Sequence, residues 1–191
     1  MTPASAPQAV PATGDQSNAE ILRWQGKFRR IFALLIGFGT ITLKWAGVIS
    51  AESVVARTMG AHSVLLIAAA TIVGYLLLVE VMLARVARRG VAGHNAAIIA
   101  AVADMALLFG IVYVVTPPAD YSRALIVAIF PVQFTLMYFG PRAAIYNLAC
   151  VALFYTTAVL TAAGQGMLPD IAERLWDLTL FISGSMLFVL L

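Results

Sequence analysis

Apolar residues are concentrated in six long stretches, separated by short segments that hold most of the charged and turn-forming residues. Each stretch is close to the roughly 20 residues that a helix needs to cross a bilayer, and none alternates polar with apolar positions as a strand would. The pattern therefore predicts an all-α fold, an integral membrane bundle of six transmembrane helices with antiparallel sequential neighbours. The predicted spans are about 31–50, 64–84, 96–115, 124–140, 144–163 and 175–191.

The composition is typical of integral membrane proteins. Hydrophobic residues make up 62% of the chain and charged residues 11%, which is more apolar surface than a water-soluble domain of 191 residues needs. The net charge of +3 comes from basic residues at the ends of apolar stretches, so it indicates membrane topology rather than nucleic-acid binding. Cys150 is the only cysteine, which excludes an internal disulfide bond.

The basic residues also predict an orientation. If the N-terminus is cytoplasmic, most Lys and Arg residues lie on the inner side, as the positive-inside rule favours. The inner group is Arg23, Lys27, Arg29, Arg30, Arg85, Arg88, Arg89 and Arg142, and the outer group is Arg57, Arg123, Arg174 and, near the interface, Lys44. Both termini are then cytoplasmic, and the predicted location is a bacterial inner membrane.

The N-terminal segment divides into two parts. Residues 1–19 are rich in Pro, Ala, Ser and Thr, which predicts a disordered cytoplasmic tail. Residues 20–30 are predicted to form a basic entry helix, which either rests on the inner leaflet or anchors the topology as an ordinary continuation of the first span. Residues 31–191 then form the six-helix transmembrane domain. Its last apolar stretch reaches Leu191 without a closing polar residue, so we expect a cytoplasmic output domain to follow.

Two carboxylates inside the predicted spans are candidate ligand or proton sites. Asp104 is expected near the midplane, where a charge costs at least about 2.5–3.5 kcal/mol. Glu80 is expected roughly 7.5 Å below the inner surface. The second and third spans are antiparallel neighbours, so the two acids could face each other. The structural alternatives are a buried, hydrogen-bonded acid that fixes helix packing for Asp104, and for Glu80 an acid that reaches the interface or pairs with a nearby arginine.

Other polar and small residues extend this list of candidates. Gln133 and Asn147 could line a ligand pocket in the fourth and fifth spans, although hydrogen bonds between helices explain them equally well. Pro131 is expected to kink the fourth span. The small residues Ser183, Gly184 and Ser185 predict a close helix contact, either inside the bundle or between two protomers. The sequence contains no phosphate-binding loop, metal-binding spacing or catalytic triad, so no catalytic residue or metal ligand is predicted.

Four segments carry a family resemblance. They are RWQGKFRR before the first span, RVARRG between the second and third, YFGPR between the fourth and fifth, and the final LWDLTLFISGSMLFVLL. The chain resembles the six-span N-terminal membrane sensor regions of bacterial signalling enzymes, most closely those of GGDEF diguanylate cyclases. The resemblance implies an input module that controls a cytoplasmic cyclase making cyclic di-GMP from GTP. GTP and Mg²⁺ would bind only to that output domain, and no cofactor is expected in this segment.

The resemblance also implies a homodimer, formed through the spans in the lipid bilayer and through the cytoplasmic C-terminal domain. Class III adenylate cyclases and sensor histidine kinases have similar membrane halves, so both remain alternatives. A small transporter or channel with Asp104 and Glu80 as a proton or cation relay is an alternative from another class. A purely structural membrane subunit is a third.

Overall fold

The computed structural model describes residues 13–46, 53–89 and 94–190, and all regular secondary structure within them is helical. This agrees with the predicted all-α fold. A 3-10 turn at Pro118–Asp120 precedes the fifth helix, and Gly140 alone separates the fifth from the sixth. The helices are α1 (Thr13–Trp45), α2 (Val54–Met59), α3 (Ala61–Arg89), α4 (His94–Val115), α5 (Ser122–Phe139), α6 (Pro141–Gly164) and α7 (Ile171–Leu190).

Four helices are long and apolar enough to cross a membrane: His62–Arg89, Ile98–Val115, Ser122–Phe139 and Pro141–Gly164. They correspond to the predicted second to fifth spans. α1 and α7 contain the predicted first and sixth spans and are not among the four. Every described stretch of 18 residues in either helix contains at least three charged residues, and residues 47–50 of the predicted first span and residue 191 of the sixth lie outside the described part.

α1 is one unbroken helix from Thr13 to Trp45. It joins the predicted entry helix to the predicted first span, which fits the interpretation of a basic segment that continues into the span. It also includes residues 13–19, which composition assigned to a disordered tail, whereas residues 1–12 lie outside the described part. This start is physically reasonable because residues 13–19 lack proline, which would interrupt a helix.

α1 packs against α3 in the antiparallel sense. Gly26 lies against Leu83, and further along α1 Gly37 lies against Ile72, which comes earlier in α3. A β-carbon added at Gly26 would come within 2.6 Å of Leu83 Cδ1. Glycine at this position therefore allows the two helices to approach closely, as small residues commonly do between apolar helices.

α4 is the helix on which two parts of the core meet. Its Met105 and Phe109 pack with α5, α6 and α7, whereas Leu107 and Ile111 pack with α1, α2 and α3. A helix surrounded in this way must be apolar on all sides. Beyond His94 and Asn95 at its start, the sequence of α4 meets that requirement except at Asp104, its one carboxylate. The bundle therefore places a single carboxylate on its central helix.

Candidate functional site

Asp104 is held by side chains from two neighbouring helices. Arg29 of α1 donates from Nε to Oδ1 at 2.9 Å and from Nη2 to Oδ2 at 2.9 Å, the bidentate geometry typical of an arginine–carboxylate pair. Tyr75 of α3 donates its hydroxyl proton to Oδ1 at 2.6 Å. One carboxylate therefore connects α1, α3 and α4.

This cluster is shielded from the surroundings and carries no net charge. The side chains of Arg29 and Asp104 are 11% and 22% exposed, respectively. Losing one partner of such a pair leaves the other charge uncompensated, which typically costs about 3–5 kcal/mol. Asp104 thus makes the hydrogen bonds expected of an acid that fixes helix packing, while its role as a ligand or proton site stays a prediction.

Glu80 belongs to a different and more exposed ion pair. Its Oε1 lies 2.6 Å from Nε of Arg30, and its Oε2 accepts a hydrogen bond from Nη2 at 2.9 Å. The two side chains are 54% and 44% exposed. The consecutive arginines of α1 thus bind different carboxylates, and the structure does not bring Glu80 and Asp104 into one site. Glu80 therefore pairs with a nearby arginine, one of the two structural alternatives, and its place at the membrane interface stays a prediction.

The sequence prediction overlooks the partners of Asp104. It counts Arg29 among the basic residues of the inner surface and does not single out Tyr75. A signal for Arg29 exists in the helical spacing, because Leu22, Gln25, Arg29 and Ala33 recur every three or four residues and share one face of α1. Leu22, Gln25 and Ala33 are buried. An arginine on that face requires a carboxylate, and Asp104 supplies it.

The cluster forms part of the wall of a cavity of about 560 Å³, within the size range of small-molecule sites. α4 contributes Ala101 and Met105, and α1 and α5 form the sides. The apolar side chains on α1 are Phe28, Ile31, Phe32 and Leu35, and those on α5 include Val127, Phe130 and Phe134. Phe130 is 74% exposed and Leu35 is 63% exposed, so the cavity opens sideways between α1 and α5.

Two polar groups on the cavity wall lack hydrogen-bond partners among the described residues. Gln25 is 3% exposed, and neither its Nε2 nor its Oε1 makes a hydrogen bond there. Nη1 of Arg29 is likewise buried without a partner, although the rest of that guanidinium is bound to Asp104. Buried polar atoms are normally satisfied, so these exceptions mark a place where another molecule can supply the missing hydrogen bonds.

The other polar residues predicted for a pocket lie elsewhere. Asn147 is 1% exposed and donates from Nδ2 to the Thr135 hydroxyl at 3.0 Å and to the Pro131 carbonyl at 3.2 Å. It therefore joins α5 to α6, as expected for a hydrogen bond between helices. Gln133 is half-buried and does not line the cavity. Pro131 does line it, and α5 remains helical on both sides of that residue.

A second polar network lies at the N-terminal end of α5. Ser122 donates its hydroxyl proton to Asp177 of α7 and accepts a hydrogen bond from Nη1 of Arg174 at 2.9 Å. The Tyr155 hydroxyl of α6 lies 3.3 Å from Ser122 Oγ. Arg174 and Asp177 of α7 are therefore bound within the bundle, whereas Glu173 is exposed. The adjacent Tyr121 is buried, and that burial raises its pKa above the ordinary value for tyrosine.

The small residues of α7 occupy different environments. Ser185 is buried against the bundle, whereas Ser183 and Gly184 are exposed. A β-carbon added at Gly184 would meet no atom within 4 Å. Close packing within the protomer therefore involves Ser185 and leaves the Gly184 side open, where a contact between protomers remains a prediction.

Among the described residues, no group of three His, Cys, Asp or Glu side chains is arranged to hold a metal ion. Comparisons with protein-family models, curated proteins and solved structures find no significant match to this chain. The function must therefore be inferred from the geometry of the site, above all from the cavity and the Arg29–Asp104–Tyr75 cluster beside it.

Proposed function

We propose that the chain is the membrane-embedded sensory input module of a bacterial signal-transduction protein, with the cavity between α1 and α5 as its ligand site. The cavity itself carries this proposal. It is an apolar site of small-molecule size that opens sideways, and its wall includes buried polar groups that find no partner within the described part of the chain. Such a combination favours recognition of a lipid-soluble molecule.

The ion pairs suggest how occupancy could be transmitted. α1 is held to α3 and α4 by the Arg29–Asp104 and Arg30–Glu80 pairs, whereas the cavity separates much of α1 from α5. A ligand in the cavity would favour one position of α1 over another. The required property is a different affinity for the two arrangements, and typical coupling free energies are about 1–3 kcal/mol.

The proposed output is a cytoplasmic diguanylate cyclase that makes cyclic di-GMP, with GTP and Mg²⁺ bound by that domain. This part of the proposal rests on the resemblance to GGDEF sensor regions. Six spans, two cytoplasmic termini, an inner-membrane location and a homodimer belong to the same proposal, supported by the distribution of Lys and Arg and by the open Gly184 side of α7. A class III adenylate cyclase or a histidine kinase would use the same input mechanism.

The transporter hypothesis receives less support from the geometry. A proton or cation relay needs carboxylates that exchange their bound ion during each cycle. Asp104 is neutralised by Arg29, and Glu80 is paired with Arg30. Both acids would have to leave an arginine before binding a cation, which makes a regulatory site the better-supported function.

The experiment compares two neighbouring positions on α5. Val127 lines the cavity, whereas Ile126 is an exposed apolar residue that does not. Both substitutions are made in the full-length protein. Val127→Trp should fill the cavity and change cyclic di-GMP synthesis by about 5-fold or more, as typical coupling energies predict. Ile126→Trp is the matched control and should leave synthesis unchanged. Equal behaviour of the two variants would contradict the proposal, and a response in cyclic AMP or autophosphorylation instead would identify one of the alternative outputs.

Movement of α1 can be measured separately. Leu35→Cys and Val127→Cys place one thiol on each side of the cavity, and Cys150→Ala removes the only natural cysteine. Filling the cavity should change the rate of disulfide formation between the two introduced cysteines in membranes. An unchanged rate in the presence of a bound ligand would contradict transmission through α1.

A further inference from the structure

Gln25 shows what kind of head group the cavity can accept. Its amide is buried, lines the cavity and lacks both a donor and an acceptor partner among the described residues. Leaving such atoms unsatisfied is costly, because desolvation of each group is not offset by a hydrogen bond. A fitting ligand therefore offers both a hydrogen-bond donor and an acceptor.

The charge balance around Gln25 restricts the ligand further. The positive charge of Arg29 is already neutralised by Asp104, but its Nη1 can still donate a hydrogen bond. An anionic head group would lie close to the Asp104 carboxylate, and a cationic one close to the Arg29 guanidinium. Either charge would meet repulsion in a site with few polar groups to offset it. An uncharged head group avoids both penalties.

A hydroxyl group meets these requirements. It donates one hydrogen bond and accepts two, so it can serve the carbonyl oxygen of Gln25 as a donor and the N–H groups of Gln25 or Arg29 as an acceptor. The rest of the cavity wall is suited to an alkyl chain. On α1 the polar Gln25 and Arg29 are followed by Ile31, Phe32 and Leu35, so polar and apolar contacts follow each other along the helix.

We infer that the cavity between α1 and α5 binds an uncharged single-chain amphiphile with a hydroxyl head group, such as a long-chain alcohol or a monoacylglycerol. The inference builds on the proposed function by naming the ligand class. The hydroxyl group binds at Gln25 and Arg29, and the alkyl chain lies along Phe32, Leu35 and Phe130. The ligand enters from the bilayer through the sideways opening.

The test uses photo-crosslinking on the chain in lipid nanodiscs. The probe is 1-dodecanol with a diazirine in its alkyl chain, and labelled residues are mapped by mass spectrometry. We expect labels on the cavity-facing residues of α1 and α5. Unlabelled 1-dodecanol should compete with the probe, whereas n-dodecane, dodecyl sulfate and dodecyltrimethylammonium at the same membrane fraction should compete at least about 5-fold less well, since they lack the neutral hydroxyl.

Gln25→Leu distinguishes a role of Gln25 in ligand binding from a purely structural role, because the two roles predict different effects on labelling and on stability. The variant should reduce cavity labelling by about 5-fold to 10-fold, because the head group loses hydrogen bonds. It should also raise the melting temperature of the ligand-free protein, since it removes buried polar atoms without partners. Gln133→Leu is the matched control, because Gln133 is a half-buried glutamine outside the cavity wall, and it should not affect labelling.

Several results would overturn the inference. Equal competition by n-dodecane would mean that the cavity is only a lipid-facing groove, and stronger competition by dodecyl sulfate would mean that it recognises anions. Unchanged labelling of Gln25→Leu, or labels spread over α3 and α7, would also contradict it. Because binding is measured without an output, dodecanol binding combined with equal signalling by Val127→Trp and Ile126→Trp would reject the proposed function alone.

Discussion

α1 and α6 both pack against α4, but they bury their side chains to different extents. On α6, Val151, Tyr155 and Val159 are completely buried, and Asn147 makes neutral hydrogen bonds to α5. Most large apolar residues of α1, such as Phe38, are exposed. α1 packs closely on α3 at Gly26 and Gly37, and in addition it is joined to α3 and α4 by two arginine–carboxylate pairs and bordered by a cavity.

This difference matters for the proposed function. Apolar packing is spread over many contacts and has one close-packed arrangement. An ion pair concentrates part of the attachment of a helix in a few atoms, and a neighbouring cavity leaves space beside it. Under the proposed function, the α1 side is the region in which a ligand shifts an equilibrium, and α4 to α7 act as the scaffold.

The largest effect is expected for Asp104→Asn. The substitution leaves the Arg29 guanidinium without its counter-charge in a shielded position, which should lower the free energy of unfolding by about 3–5 kcal/mol. Thermal unfolding in mild detergent measures the loss. The double variant Arg29→Leu with Asp104→Leu removes both charges and should recover most of it. A loss in the double variant as large as in Asp104→Asn would contradict the ion-pair explanation.

Tyr75→Phe tests the hydrogen bond within the same cluster without changing its charge. A hydrogen bond to a charged group contributes about 1.5–3 kcal/mol, so the loss should be smaller than for Asp104→Asn. The Tyr75 hydroxyl bonds only to a member of the cluster among the described residues. Tyr75→Phe added to the double leucine variant should therefore have little further effect, and additive losses would show that Tyr75 acts independently of Asp104.

Asn147→Leu examines the scaffold side of the comparison. Hydrogen bonds between membrane helices contribute about 0.6 kcal/mol on average and up to about 1.7 kcal/mol, so a loss in this range is expected. Gln133→Leu is the control, because the half-buried Gln133 makes no side-chain hydrogen bond to any residue that the structure describes, and its effect should be close to zero. A loss for Asn147→Leu that equals the Asp104→Asn loss would remove the distinction between the two sides of α4.

Glu80→Gln should have the smallest effect. The Arg30–Glu80 pair is about half exposed, and exposed pairs contribute about 0–1 kcal/mol. In the same thermal unfolding measurement, the melting temperature of Glu80→Gln should stay close to that of the unsubstituted protein at both low and high salt. A loss above about 2 kcal/mol would mean that this pair lies in a drier environment than the exposure of its side chains indicates.

Much of the fold follows from the one-dimensional pattern. The four candidate membrane helices, the turn at Gly140 and the interhelical hydrogen bond of Asn147 can all be predicted from apolar periodicity, turn chemistry and the need to satisfy buried polar groups. The first and sixth spans are harder to assess. Arg29 and Arg30 make α1 less apolar, and Asp177 does the same for α7. Tertiary contacts decide which residues pair with those charges, and the composition of a single segment does not predict these contacts.

By itself, the sequence determined a helical fold with segments long and apolar enough to cross a membrane, and it indicated that Asp104 needs a partner, because apolar length and the cost of an isolated charge are local properties. Only the tertiary structure decided which arginine binds which acid, because Arg29 and Arg30 are adjacent in sequence and point to different neighbours. It also created the cavity, which depends on the distance between α1 and α5. That distance is a property of packing between remote segments, and no single segment encodes it.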